Sequence, residues 1–442
     1  MTHLDSEALQ AVIQQILHDA GQYGATAAEA DVSKGVGLSV TVRKAEVETI
    51  EHEQDTNLDL TVFVGQSKAS ASTADLSPKA IEDTAKAACA IAKQCQEDPD
   101  AGLADADLMA TSLPDLASYY PWPLETEQAI AIAASCEQSG LNSDSRIQQS
   151  EGATLSTYQG QYVYGNSHGF IGINESTRHS LSCSFISQDE QGMQRDYWYD
   201  IARDPSDLAP ADEIGLIAAK RTTDRLNARP IKTGEYPVIF AANIATSLFQ
   251  HFSAAISGGA LYRQASFLLD AKGQPIFPDF IDIYEQPYLL KALGSNAFDD
   301  EGVATNTDPI IERGVLQRYL LSSYSARKLG LVSTGNAGGV NNLTVSHQAL
   351  DFATLLQEMG RGILVTETMG MGVNTVTGDY SQGAAGFWVE NGVIQYPIDE
   401  FTIAGQLRDM LMGVQAIASD IELRGNIRTG SVWLDKMMVA GN

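Results

Sequence analysis

The chain has 442 residues, of which 44 % are hydrophobic and 19 % charged, ample material for two or three domains around a sizeable core. Its formal net charge is −28, and the densest basic groups are pairs such as Arg43-Lys44 and Lys220-Arg221, a balance that repels phosphate backbones and argues against a nucleic-acid ligand. No run approaches the roughly 18–20 apolar residues that a membrane-spanning helix requires, so no membrane partner is expected.

In chain order, the stretch MTHLDSEALQAVIQQILHDAG carries acids where a secretion signal would carry basic residues. It predicts an amphipathic helix over residues 4–20 and a cytoplasmic chain. Two alternating, strand-like runs come next, VGLSVTVRKAEVETIEHE and LDLTVFVGQSKASAST. A helix then opens in DLSPKAIEDTAKAA, where Ser77 suits the N-cap and Pro78 the first helical position. After the turn-rich PDLASYYPWPLETE the layout repeats. EQAIAIAASCEQSG predicts a helix, ATLSTYQGQYVYG, GFIGINESTRHSLSCSFIS and QRDYWYDIARD predict strands, and DLAPADEIGLIAAKRTTDRL closes with a helix that echoes the earlier proline-bearing one.

The expected fold class is therefore α+β, with a duplicated helix–meander–helix unit in an N-terminal domain over residues 1–228 (pseudo-repeats at about 1–110 and 120–228). Cys89, Cys95 and Cys136 fall on predicted helices and Cys183 on a strand. None forms a CxxC pair, and burial as small apolar groups is the expectation. GNSHG (residues 165–169) fits the G-x-S-x-G spacing of a nucleophile elbow, but the residues after it are strand-like rather than helical, so a hairpin turn is expected.

The polar, proline-bearing NARPIKT marks the boundary to a C-terminal domain over residues 229–442, built on a large antiparallel or mixed β-sheet. Arg313-Gly314 and Asn391-Gly392, each between apolar runs, predict hairpins. Helices are predicted over residues 243–257, 322–329, 352–359 and 406–416.

Phosphate-binding loops of the GxxxxGK[ST] type are absent. Asp299, Asp300 and Glu301 in FDDEGVATNTD could hold a cation or an ammonium group, yet they lack the spacing of a calcium loop, and a solvated acidic turn is the plainer expectation. YPVIFAANIATSLFQHFSAAISGG reads as a strand over residues 236–240 leading into a helix. Ile244, Leu248, Phe252 and Ile256 form its apolar stripe, and His251 lies beside that stripe. One histidine without a carboxylate on the helix does not make a zinc site, which needs three protein ligands.

Three long blocks resemble one family. SAAISGGALYRQASFLLD, NAFDDEGVATNTDPIIERGVLQRYLLSSYSARKLGLVSTGNAGG and MGMGVNTVTGDYSQGAAGFWVENGVIQYPIDEFTIAGQLRDML together resemble the PmbA (TldE) branch of the TldD/PmbA family, with the likeness strongest from about residue 236 to 441. The resemblance implies a two-chain peptidase in which the TldD-type chain carries HExxxH on a helix after a strand, with a cysteine near its carboxyl terminus completing the zinc site. Alignment through GGALYRQASFL sets the first histidine at Phe249, the glutamate at Gln250 and the second histidine at Ala254. His251 falls on an intervening position, and no cysteine follows Cys183. Histidines five apart lie about 140° apart on a regular helix, so the motif already needs a distorted turn. Here its nitrogen donors and general base are gone.

The expected function is that of a metal-free partner subunit: no catalytic residue and no metal or cofactor in this chain, zinc in a TldD-type partner, and an extended, unstructured peptide as substrate. A homodimer in isolation is also open. Glycine-rich residues 335–339 and 370–386 suit close backbone approach, and His251, Arg263, Asp299, Asp300 and Glu301 are the candidates for the shared cleft. Two alternatives stand beside this reading. One is a stand-alone metallopeptidase-like hydrolase working through the acidic cluster, and the other is a non-enzymatic interaction protein of the gyrase-modulator kind.

Overall fold

The computed structural model of the chain describes residues 6–441. The first half contains α1 (Ser6–Gln22), β1 (Ala27–Arg43), β2 (Glu46–Val64), β3 (Ser67–Thr73) and α2 (Pro78–Ala92), then α3 (Thr126–Leu141), β4 (Ile147–Asn166), β5 (Ile171–Gln188), β6 (Met193–Ala202) and α4 (Ala211–Asp224). The predicted helix start at residue 4 lies outside the described residues. The six strands make one antiparallel sheet in the order β3-β2-β1-β4-β5-β6. That order is symmetric about the β1–β4 pair, so two helix–meander–helix units meet edge to edge.

Alternation along β1 turns Ala28, Ala30, Val32, Leu38, Val40 and Val42 to one face. The first three pack under α1 and α2, the last three under α3 and α4. Ser77 caps α2 by accepting from the Ala80 N–H at 3.4 Å, with Pro78 next to it as expected. Cys89, Cys136 and Cys183 are buried, whereas Cys95 is exposed because α2 ends at Ala92 before reaching it. GNSHG is the turn between β4 and β5. At the β1–β2 turn Lys44 and Ala45 both take positive φ (55° and 61°), and their N–H groups donate to the buried Glu137 carboxylate at 2.8 and 3.0 Å.

The second half runs β7 (Gly234–Phe240), α5 (Ala242–Ala255), α6 (Gly258–Tyr262), β8 (Ile283–Glu285), β9 (Asp308–Glu312), β10 (Val315–Leu316), α7 (Ser323–Leu329), β11 (Leu343–Val345), α8 (Phe352–Met359) and β12 (Gly362–Met369). It continues with β13 (Val373–Asn374), β14 (Asp379–Glu390), β15 (Val393–Gln406), α9 (Leu407–Met412), β16 (Val414–Ile417), β17 (Ile427–Arg428) and β18 (Val432–Ala440). Strand β12 pairs with β7 on one side and β14 on the other, so β12-β7-β18-β15-β14 closes into a barrel. A five-stranded sheet, β10-β9-β8-β11-β17, stands beside it. Both feed one core that also takes in α5.

Arg313-Gly314 and Asn391-Gly392 form the predicted hairpin turns, each pair in the left-handed region (φ 47° and 77°, 53° and 71°). The helix predicted over residues 406–416 is halved: only Leu407–Met412 is helical, because the residues of β16 pair with β18 and tertiary pairing outweighs local periodicity. The single turn of α6 hides in the sequence behind two glycines. Among the described residues no helix is long and apolar enough to cross a membrane.

Candidate functional site

Helix α5 leaves β7 at Ala241, whose N–H donates to the Val365 carbonyl at 3.0 Å. Leu248, Phe249, Phe252 and Ala255 face the core, where Phe249 stacks on Phe277 and Phe252 meets the same ring edge-on at 5.1 Å. The opposite face is uncharged and polar, with Asn243, Thr246, Gln250 and Ser253 recurring at steps of three and four, and Ser257, the N-cap of α6, follows four residues on. This face borders three cavities. One of about 460 Å³ lies between Gln250, Ser253 and Ala254, the α6 start and the loop at Asn336–Val340, and no charged residue lines it. A second of about 200 Å³ meets Asn243, Thr246 and Gln250, and a third of about 610 Å³ meets Asn243, with Glu422 and Arg424 shared between these two.

The loop across from α5 is held by two buried carboxylates. Asp299 Oδ1 accepts from the Glu301 and Val303 amides at 2.9 and 3.0 Å, and its Oδ2 accepts from Ala337 at 2.9 Å. Burial pushes this carboxyl up to about 7, against the pull of its amide donors. Glu285 pairs with Arg318 and accepts from Asn336 Nδ2 at 2.8 and 3.0 Å and from the Asn341 amide at 2.7 Å. Between these anchors Gly338 sits at φ 93°, with the Asp300 carboxylate packed where a Cβ would project. A side chain there would be strained and would collide with Asp300.

Of the residues singled out in the sequence, Gln250 and Ala254 line the cleft, while Phe249 is in the core. His251 is half-buried on another side of α5, its ring edge-on to Tyr380 at 6.3 Å, and burial lowers its pKa, favouring neutral imidazole. Arg263 is exposed at the end of α6 and lies over the Tyr262 ring at 5.5 Å. Asp299 and Asp300 stand behind the cleft loop rather than in the cavity. Glu301 accepts from the Ser323 amide at 2.8 Å at the start of α7, and its carbonyl accepts from Tyr164 Oη at 3.0 Å.

Sequence reasoning missed Glu285, and it missed Glu29 and Asp31 on the face of β1 that looks toward residues 299–301. Their alternation with buried residues marks a strand face, but nothing local distinguishes a covered face from a solvated one. The polar stripe of α5 was within reach of the same periodicity that gives its apolar stripe.

A peptidase zinc requires three protein donors and an open position. Here the aligned positions offer a buried phenyl ring, an amide and a methyl group. Among the described residues no three His, Cys, Asp or Glu side chains come together to hold a metal ion. The residues present do not fit the metal.

A duplicated antiparallel sheet unit carrying a closed barrel, with a strand–helix step facing a polar cleft, defines a distinct class of two-part α+β protein. Residues 28–92, 119–226 and 233–441 match, in order, domain 1, the central domain and the C-terminal domain of PmbA/TldA metallopeptidases. The chain is 49 % identical over 414 residues to Metalloprotease PmbA of Escherichia coli O157:H7, and 50 % identical over 416 residues to a Metalloprotease PmbA homolog of Haemophilus influenzae. Each match spans 94 % of this chain and 92 % of the relative. A Bacteroides thetaiotaomicron protein described as a candidate modulator of DNA gyrase superposes with a TM-score of 0.94 at 26 % identity over 100 % of both chains. TldE from Thermococcus kodakarensis shares the fold, with a TM-score of 0.82 at 19 % identity over 97 % of this chain and 100 % of that one. The chain belongs to the TldD/PmbA family, and that membership supports a metallopeptidase-like function.

Proposed function

We propose that the chain is the metal-free subunit of a two-chain cytoplasmic metallopeptidase, in which a TldD-type partner holds zinc and breaks the bond. This chain supplies one wall of a shared cleft for an extended, unstructured peptide. The observation that carries the reading is the face of α5. Where the family resemblance puts ligands and a general base it presents Gln250 and Ala254 in a cavity without a charged side chain. Hydroxyl and amide groups at Asn243, Thr246, Gln250 and Ser253 can donate to or accept from a peptide backbone while reading little of its sequence. The fixed, glycine-rich loop opposite lets a backbone approach closely.

The stand-alone hydrolase reading has less support. Asp299 is held behind the cleft loop by three amides, Asp300 packs against Gly338 and Glu301 caps the start of α7, so none of the three acids lines the cavity where a peptide would lie. Elemental analysis and peptidase assays of the purified chain, alone and with a TldD-type subunit, test the proposal. Substoichiometric zinc and no hydrolysis alone, with hydrolysis on adding the partner, are expected. Stoichiometric zinc or peptide cleavage by the isolated chain would overturn it.

A further inference from the structure

Strand β3 covers β2 only from Leu58 to Val64. Residues 46–57 of β2 pair with β1 on one side, and among the described residues no backbone group bonds to their other edge. This open edge is roughly 40 Å long at about 3.3 Å per residue, and residues 46–55 are all exposed. Exposed edges of such length template pairing with another chain, and proteins ordinarily blunt them with charged side chains, proline, bulges or a covering element. EVETIEHEQDTN has no proline and no lysine, and its formal charges are all acidic, a guard that repels another acidic strand but not a basic one. Nor is the hairpin loose. Glu137 holds the turn amides, and Arg43 Nε donates to the Ser150 carbonyl at 3.1 Å.

The β1–β2 register gives the edge two different faces. Val47 lies opposite Val42 and Ile50 opposite Val40, on the helix-covered side of the sheet, yet each is 44 % exposed because α3 lies over β1 and β4. Val36, Leu38, His52, Trp122 and Leu124 line a cavity of about 480 Å³ next to them. On the reverse face Glu51, Glu53 and Asp55 stand opposite Ser39, Gly37 and Gly35. Of the five acids in the segment (Glu46, Glu48, Glu51, Glu53, Asp55), only Glu48 has an ion-pair partner among the described residues, Arg43 at 3.3 Å.

We infer that residues 46–57 are a docking edge for a strand of the TldD-type partner, one whose side chains alternate apolar and basic. The inference rests on the two-chain reading proposed above. An incoming strand of that pattern places apolar groups beside Val47 and Ile50 and cations beside Glu51, Glu53 and Asp55, while its backbone satisfies the open edge. A second copy of this chain is the wrong occupant, because it would set carboxylates directly against carboxylates. Holding the hairpin rigid beforehand lowers the ordering cost of association.

Hydrogen exchange of the full chain with and without the TldD-type subunit, together with sedimentation and affinity measurements, tests this. Exchange across residues 46–57 is expected to slow only when the partner is added. The triple variant Glu51→Lys, Glu53→Lys, Asp55→Lys is expected to bind the partner roughly tenfold or more weakly, with the isolated chain's unfolding midpoint unchanged. Ile50→Asp tests the apolar face in the same way. A heterodimer with unchanged exchange in residues 46–57, or with wild-type affinity for both variants, overturns the docking edge alone. Slow exchange there in a homodimer of the isolated chain overturns the choice of occupant. Failure of the two chains to associate at all overturns the docking edge and the two-chain reading together.

Discussion

Glu285 is 2 % exposed and is the hub of the cleft loop, joining Arg318, Asn336 and the Asn341 amide. Glu285→Ala leaves the Arg318 guanidinium buried without its counter-charge, a change that costs about 3–5 kcal/mol. Denaturant unfolding should show that loss, and Glu285→Gln, which fills the same space and keeps one acceptor oxygen, for Asn341 or for Arg318 but not for both, should lose less. A wild-type midpoint for the alanine variant would show that the pair is not what holds the loop. At this scale the sequence was only partly legible. The acidic triplet stood out, but its three members do three different jobs, and a carboxylate buried behind a loop looks in sequence like one in water. Glu285, flanked by ordinary strand residues, gave no signal at all.

Helix α5 was legible on both faces, because a 3.6-residue period sorts core from cleft without reference to the rest of the chain. The two faces should respond differently to truncation. Phe249→Ala removes a ring stacked on Phe277 in the core and should destabilise the chain by about 3–5 kcal/mol. Gln250→Ala, one residue on and exposed, should change stability by less than about 0.5 kcal/mol while weakening the partner-dependent peptide cleavage proposed above. Equal losses from both changes would contradict the assignment of faces. Elements whose form depends on distant strands were less legible. Residues 414–417 carry a helical pattern, yet β18 draws them into a strand. The closure of β12 onto both β7 and β14 leaves no mark in the local sequence.

At the scale of the molecule, the open face of the six-stranded sheet rests on the second half through a seam of mixed character. Tyr164 bridges Glu29 and the Glu301 carbonyl at 3.0 Å each, while Tyr164, Phe170 and Phe298 cluster beside them. Lys328 ties α7 to Asp98 and Asp100 at 2.9 and 2.8 Å. Within this seam burial, followed by the charges of Asp59, Asp300 and Glu29, pushes the Asp31 carboxyl up to about 7. Its value in the unfolded chain is about 3.9, so the folded state binds the proton more tightly. The contribution of Asp31 to stability is therefore full below about pH 4 and is lost as pH rises through 7. Asp31→Asn should thus gain on the wild type between pH 4 and pH 8, read as a growing difference in unfolding midpoint. A difference that stays constant across that range would mean the carboxyl ionises as freely as in water.

The barrel also constrains how the protein can be made. Strand β7 leaves the ribosome at the beginning of its half, but its neighbour β18 is synthesised after every other strand of the ring. Until then one edge of β7 stays unpaired and the ring stays open, although β12 can pair with its other edge and Phe277 can already lie against α5. The β7–β18 pairings that close the ring are among the most distant in sequence in this half. The six-stranded sheet can mature while translation proceeds. The barrel half waits as a sticky intermediate, so a pause in elongation just before Val432 would expose the nascent chain to aggregation at its most vulnerable moment.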